Sequence, residues 1–189
     1  MIKIDTGDLR KVLAAASDYF GLEKYMRIMD AVQKSDVSCD PEFQRIFNGF
    51  YKVRRNEAWR KKFYDLFEEV RNSNPLPSFD EVVTDLYEAT GNVETSFASK
   101  LLASVNKDMP IWDRRVGRSL NLMVKGASRE ERLAAAKRVY QEVRDTYDSF
   151  LDSEEGRAFI AEFDRLVPEQ YRGISAVKKL DFYLWAKGL

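Results

Sequence analysis

Apolar residues recur along most of the chain at spacings of three and four, which is the period of an α-helix with one buried face. Thr6 can cap the first of these segments, and Gly21 is expected to end it, so that a second helix begins at Leu22. Alternating strand patterns are almost absent. The hydrophobic pattern therefore predicts an all-α fold of nine or ten helices.

Helix-start signals divide this pattern into separate elements. Starts are expected at or near Asp40, Asn56, Ser78, Thr95, Asp113, Ser128, Ser153 and Ser175. Residues 72–78 contain two prolines and several cap-forming side chains, which makes them the strongest linker signal in the sequence. We expect a single domain over residues 1–189, with a lobe boundary near residues 72–78.

Composition narrows the functional classes. The 189 residues are 44% hydrophobic, enough for one substantial core, and no apolar run is long enough to cross a bilayer, so we expect no membrane partner. The absence of histidine excludes histidine-based triads and imidazole zinc sites, and we expect no metal and no cofactor. Cys39 is the only cysteine, and residues 1–11 lack a secretory apolar core. These features favour the reducing cytoplasm.

Charge is balanced overall, with 31 basic and 31 acidic residues, but residues 44–62 carry seven basic side chains against one glutamate. Aromatic residues, including Tyr51 and Trp59, alternate with these charges. Such a surface can follow a phosphate backbone. The other interpretation is that the aromatic rings face the core and the charges are simply solvated.

Residues 91–120 combine a turn at Gly91, an apolar helix, a loop containing Pro110, and a second helix headed by Asp113. A carboxylate at a helix N-terminus near basic side chains can stabilise a cationic species. It can equally serve only as a helix cap. The residues alone leave both interpretations open.

The segment ASKLLASVNKDMPIWDRRVGRSL, following a helix and a turn, resembles the helix-hairpin-helix DNA glycosylases, particularly the 8-oxoguanine glycosylase branch, over about residues 79–120. In that family a hairpin grips one DNA strand, and an aspartate stabilises the oxocarbenium-like sugar as the flipped base departs. The resemblance implies that DNA is the partner, that Asp113 is the catalytic carboxylate and that Trp112 stacks on a base. Together with the basic segment 44–62, this gives the candidate DNA-binding residues Arg54, Arg55, Lys61, Lys62, Lys100, Arg114, Arg115 and Arg118.

Two differences from the family pattern shape the expected chemistry. The family's hairpin is rich in glycine, whereas Gly91 is followed here by Asn-Val-Glu-Thr-Ser, so Glu94 is expected to face a phosphate unfavourably. Where bifunctional members place a Schiff-base lysine, this chain has Thr95 or Ser96. Lys100 lies about one turn further on and is expected to point elsewhere. The sequence therefore predicts that any base excision proceeds without a covalent intermediate.

Two functional classes follow from these observations. The first is a glycosylase-like protein that either binds DNA or excises a base with Asp113 as its carboxylate. The second is a non-catalytic helical module for protein interaction or structure, in which Asp113 is only a cap. The sequence identifies no protein partner for the second class.

Overall fold

The computed structural model describes residues 5–15 and 20–187, and within these ranges it contains helices and no strand. This confirms the all-α prediction. The helices are α1 (Leu9–Ala15), α2 (Phe20–Lys34), α3 (Pro41–Tyr51), α4 (Glu57–Asn72), α5 (Phe79–Thr90), α6 (Thr95–Val105), α7 (Arg114–Ser119), α8 (Arg129–Leu151), α9 (Glu154–Leu166) and α10 (Ala176–Lys187), with a 3₁₀ turn at Glu169–Tyr171 before α10.

Most predicted helix starts are confirmed by their hydrogen bonds. Asp40 Oδ1 accepts from the backbone N–H groups of Glu42 and Phe43 at 2.9 and 3.0 Å. Ser78 and Ser128 each begin a capping box, in which the serine and a glutamate three residues later bond to each other's backbone N–H. These local bonds fix where the helices begin without help from the rest of the fold.

One predicted boundary is wrong. Gly21 lies in the first turn of α2, which begins at Phe20, and therefore does not end a helix. The glycine instead allows close packing, because a Cβ atom at this position would lie 3.3 Å from the ring of Phe182. Its missing side chain lets α10 approach α2.

The buried apolar side chains form one continuous core that extends from Leu9 to Leu184. Its densest part is an aromatic cluster between α3 and α4, where Phe47 packs against Phe43, Phe63 and Phe67 with ring centroids 5.5–5.8 Å apart. The predicted linker at residues 72–78 joins α4 to α5, which pack against each other. The lobe boundary stays a prediction.

Two helices, α6 and α10, pack against most of the other helices. α6 is buried along most of its length and packs on α2, α4 and α5, while α10 packs on α1, α7, α8 and α9. Within the described ranges, no helix has both the length and the apolar composition that crossing a membrane requires.

The turn between α8 and α9 generates a test of the packing. Gly156 lies so close to the end of α8 that a Cβ atom would fall 2.0 Å from the carbonyl oxygen of Phe150. We expect Gly156→Ala to lower the free energy of unfolding by about 1–3 kcal/mol, because α9 must move away from α8. Gly173→Ala is the matched control, since no atom lies within 4 Å of the added methyl group. Urea unfolding followed by circular dichroism measures both. Equal stability of the two variants would contradict the close approach.

Candidate active site

A cavity of about 250 Å³ opens between α2, α3, α6, α7 and α10. Most of its wall is apolar or aromatic, but it also contains two carboxylates and several cations. The apolar and aromatic lining consists of Leu22, Tyr25, Phe50, Tyr51, Ile111, Val116, Phe182 and Trp185. The charged lining consists of Lys52, Lys100, Asp113, Arg115, Lys178 and Asp181.

Asp113 is both a helix cap and part of this cavity. Its Oδ1 atom accepts from the backbone N–H groups of Arg115 and Val116 at 2.9 and 3.1 Å, as the predicted N-cap requires. Its Oδ2 atom accepts no hydrogen bond from the described part of the chain. One oxygen therefore holds α7, and the other remains able to interact with a ligand.

Lys100 lies in the same cavity, so the expectation that it points elsewhere is wrong. Its residue is 8% exposed, and its Nζ atom lies 5.5 Å from the ring centroid of Tyr51 and 5.6 Å from that of Phe97. Its Nζ atom makes no hydrogen bond or ion pair with residues 5–15 or 20–187. Burial lowers the pKa of Lys100, and the negative charge of Asp113 opposes this effect.

The backbone beside Lys100 is tied directly to the backbone beside Asp113. The Ser99 hydroxyl donates to the carbonyl oxygen of Trp112 at 2.9 Å and accepts from the N–H of Trp112 at 3.1 Å. Ser99 is fully buried, so these bonds are shielded from water. Ser99 directly precedes Lys100, and Trp112 directly precedes Asp113. These two hydrogen bonds therefore fix the position of the Lys100 backbone relative to the Asp113 backbone.

A buried ion pair forms part of the cavity wall. Lys178 Nζ lies 3.5 Å from Asp181 Oδ2, and Asp181 also accepts from Tyr147 Oη at 2.8 Å and from the Ile111 N–H at 3.1 Å. Burial raises the pKa of Asp181 to about 6, although Lys178 and Tyr147 counteract it. Sequence reasoning missed this pair because Lys178 and Asp181 look like the solvated face of an amphipathic helix.

Trp112, which was predicted to stack on a base, does not line the cavity. Trp112 is 8% exposed and belongs to the core, where its indole N–H donates to the carbonyl oxygen of Leu122 at 2.9 Å, so its ring is not free to stack on a base. Trp185 lines the cavity instead and is 41% exposed. The Arg115 guanidinium lies 4.5 Å above its ring, and one nitrogen of that guanidinium is buried without a hydrogen-bond partner. Arg115 and Trp185 thus form an aromatic and cationic surface in the cavity wall.

The structure separates the predicted DNA-binding residues into different environments. Arg54, Arg114 and Arg118 are exposed, as binding to a phosphate backbone requires. Lys61 pairs with Asp65 at 2.7 Å, and Lys62 donates to the carbonyl oxygen of Ala89. Aromatic residues of the basic segment 44–62, such as Phe47, Tyr51 and Trp59, are buried in the core. Lys100 is too buried to bind a duplex backbone, and Arg115 lies in the cavity wall.

Glu94 also differs from its expected environment. It is 6% exposed, and both of its oxygens accept from the same Arg55 nitrogen at 2.9 Å. The Arg55 guanidinium lies 5.5 Å from the ring centroids of both Trp59 and Phe97. The pairing with Arg55 neutralises Glu94. The turn between α5 and α6 therefore does not present an unpaired carboxylate to a phosphate.

Two arginines that the sequence analysis did not identify lie beside the turn between α5 and α6, here called the hairpin. A polar groove of about 380 Å³ is bordered by Arg55, Asn92 and Glu94 and by Arg129 and Arg132 of α8. Both α8 arginines belong to a helix that starts far from the hairpin in sequence. Only the packing of α8 on α5 brings them to it.

Comparison with protein-family models, curated proteins and solved structures gives no match for this chain. Within the described ranges, no cluster of Cys, Asp or Glu side chains could hold a metal ion. The functional argument therefore depends on the geometry of the cavity itself.

The Asp181 hydrogen bonds generate a second test. Tyr147 and Tyr140 lie on α8, and each donates one buried hydrogen bond: Tyr147 to the Asp181 carboxylate and Tyr140 to the carbonyl oxygen of Pro110 at 2.9 Å. We expect Tyr147→Phe to cost about 1.5–3 kcal/mol of stability and Tyr140→Phe about 0.5–1.5, because bonds to charged groups are stronger. Chemical denaturation measures both values. If the two variants lose the same stability, Asp181 does not depend on Tyr147.

Proposed function

We propose that this protein excises a damaged base from DNA, with the base turned out of the duplex into the cavity. The observation that supports the proposal is the placement of Lys100 and Asp113 in one cavity, each with a reactive atom that forms no hydrogen bond with the described residues. An amine and a carboxylate in one apolar site are the groups that departure of a base from a sugar can use.

The size and lining of the cavity suit a single base. A volume of about 250 Å³ lies just below the range of about 300–1,000 Å³ that is typical of pockets for drug-sized ligands, so it fits one ring system. Trp185 and Phe50 offer aromatic surface, and the unpartnered Arg115 nitrogen offers a hydrogen-bond donor. Bases bound outside the duplex are recognised by stacking and edge hydrogen bonds of this kind.

The chemistry follows from the two reactive groups. As the bond between C1′ and the base breaks, the base takes the electron pair, and Asp113 stabilises the positive charge that develops on the sugar. The uncharged Lys100 amine then forms a bond to C1′ and releases one proton to solvent. The bond between C1′ and O4′ breaks, O4′ takes that electron pair and the remaining amine proton, and the nitrogen lone pair completes the imine. This covalent step differs from the excision without an intermediate that the sequence predicts, because Lys100 shares the cavity.

The hairpin and the start of α8 supply the proposed contact with the DNA backbone. Arg129 and Arg132 border the polar groove beside Asn92. Arg54 is exposed on the segment between α3 and α4. Neutralising phosphates with these side chains releases counterions, which makes binding depend on salt. This cationic surface could hold the strand while the cavity receives the base.

The backbone contact is testable by its salt dependence. We expect Arg129→Ala/Arg132→Ala to weaken duplex binding at low salt and to reduce the slope of log affinity against log salt by about two, because two phosphate contacts are lost. Lys61→Ala is the control, since Lys61 already pairs with Asp65. Fluorescence anisotropy over a salt series gives both slopes. A slope that is the same in the wild type and the double variant would remove these arginines from the interface.

The excision chemistry is testable with duplexes that carry damaged bases. We expect base release followed by a covalent complex when borohydride reduces the imine, with loss of both in Asp113→Asn and loss of the complex in Lys100→Met. Asp113→Asn is suitable because asparagine caps a helix about as well as aspartate, so it removes the charge and keeps α7. Lys107→Met, which removes an exposed lysine, is the matched control.

Release that continues unchanged in Asp113→Asn would reduce this aspartate to a helix cap. A complex that persists in Lys100→Met would assign the amine to another residue. If the folded protein neither binds duplex DNA nor releases any base, the non-catalytic interaction module becomes the better description.

A further inference from the structure

The cavity contains a second buried lysine whose surroundings differ from those of Lys100. Lys178 is 7% exposed, pairs with Asp181 at 3.5 Å and places its Nζ atom 4.5 Å from the ring centroid of Tyr25. Lys100 is 8% exposed, and its Nζ atom has only ring contacts with the described residues. One amine therefore has a carboxylate partner, and the other has no carboxylate bonded to it.

We propose that Lys178 is a positioning residue that keeps the Lys100 amine uncharged and therefore nucleophilic at neutral pH. Asp181 and Tyr25 hold the positive charge of Lys178 in place, and a second positive charge in the same small cavity is then unfavourable. The nucleophilic role of Lys100 rests on the proposed function, whereas its uncharged state does not. An apolar pocket and a neighbouring cation are two established means of activating a lysine.

The other charged groups around Lys100 do not cancel this effect. Burial is the largest cause of the lowered pKa of Lys100, Asp113 opposes it, and Lys178 lowers the pKa further. Burial also lowers the pKa of Lys178, but its bond to Asp181 favours the charged form. The remaining ionisable groups that line the cavity are Tyr25 on α2, Tyr51 and Lys52 at the end of α3, and Arg115 on α7.

These remaining groups add no negative charge. Burial raises the pKa of Tyr25 and Tyr51, so both phenols are neutral at ordinary pH. Lys52 and Arg115 are cations and add to the repulsion that Lys178 exerts. Asp181 is ionised above about pH 6 but is bonded to Lys178, Tyr147 and the Ile111 N–H, which spread its charge over three donors.

Trace labelling with acetic anhydride measures the protonation of each lysine separately. The uncharged amine attacks one carbonyl carbon, acetate leaves with the electron pair, and the amine proton goes to solvent. The folded full chain is labelled across a pH series and digested, and mass spectrometry quantifies acetylation of the peptide that contains Lys100. The midpoint of this curve gives the pKa of Lys100 without any DNA present.

The decisive variant is Lys178→Met/Asp181→Asn, which removes both charges and leaves neither partner unpaired. We expect the pKa of Lys100 to rise and its labelling at neutral pH to fall about fivefold, because the repulsion from Lys178 is lost. Lys178→Arg should keep wild-type labelling. The matched control is Lys179→Met/Asp164→Asn, which removes the ion pair at 2.7 Å between Lys179 on α10 and Asp164 on α9 and should change nothing.

An unchanged curve in the folded Lys178→Met/Asp181→Asn variant would overturn the proposal, as would an equal change in the control. The same holds if wild-type Lys100 is unlabelled at every pH, because an unreachable amine cannot act as a nucleophile. Lys178→Gln, which can still donate to Asp181, provides the comparison if the double variant does not fold. A shifted curve without borohydride trapping on DNA would support the role of Lys178 while rejecting the covalent step of the proposed excision.

Discussion

The buried carboxylate of Asp181 is the constraint on which the site depends. An ionised group removed from water costs several kcal/mol unless donors replace its hydration. Three donors do so here: the Ile111 N–H from the loop before α7, the Tyr147 hydroxyl from α8 and the Lys178 amine from α10. Satisfying this one charge therefore fixes the relative positions of a loop and two helices. Breaking any of the three bonds would leave a buried charge partly unpaired.

The hydrogen bonds of Asp181 also help to position Asp113 and Lys100, because they hold backbone that is close to these residues in sequence. Ile111 is held by Asp181, and Trp112, the next residue, is held at both its N–H and its carbonyl oxygen by Ser99. Asp113 follows Trp112, and Lys100 follows Ser99, so neither reactive residue needs its own side chain to fix its position. Supporting bonds of this kind leave the reacting atoms free while their backbone is held. The free Oδ2 atom of Asp113 is consistent with this arrangement.

The sequence predicted the features that depend on a few contiguous residues. The Asp113 cap and the capping boxes at Ser78 and Ser128 form within one helical turn, so local spacing is sufficient to find them. The cavity that contains Lys100 is lined in part by α10, which lies more than seventy residues away. The Asp181 bond to Ile111 spans seventy residues and leaves no local signal. Trp112 is buried and Trp185 lines the cavity for the same reason, since burial is decided by tertiary packing.

Lys100 is the residue that best separates a functional site from a structural one. Asp113 stabilises α7 whatever else it does, and the pairing of Lys178 with Asp181 supports the fold. Ring contacts at 5.5 and 5.6 Å contribute about 0.5–2 kcal/mol to Lys100, whereas burying an ammonium group without a carboxylate costs several kcal/mol. A leucine or methionine would fill the same space without that cost. Burial therefore favours the uncharged form more in Lys100 than in an exposed lysine, and ionisable groups perturbed in this way concentrate at sites where proteins carry out chemistry.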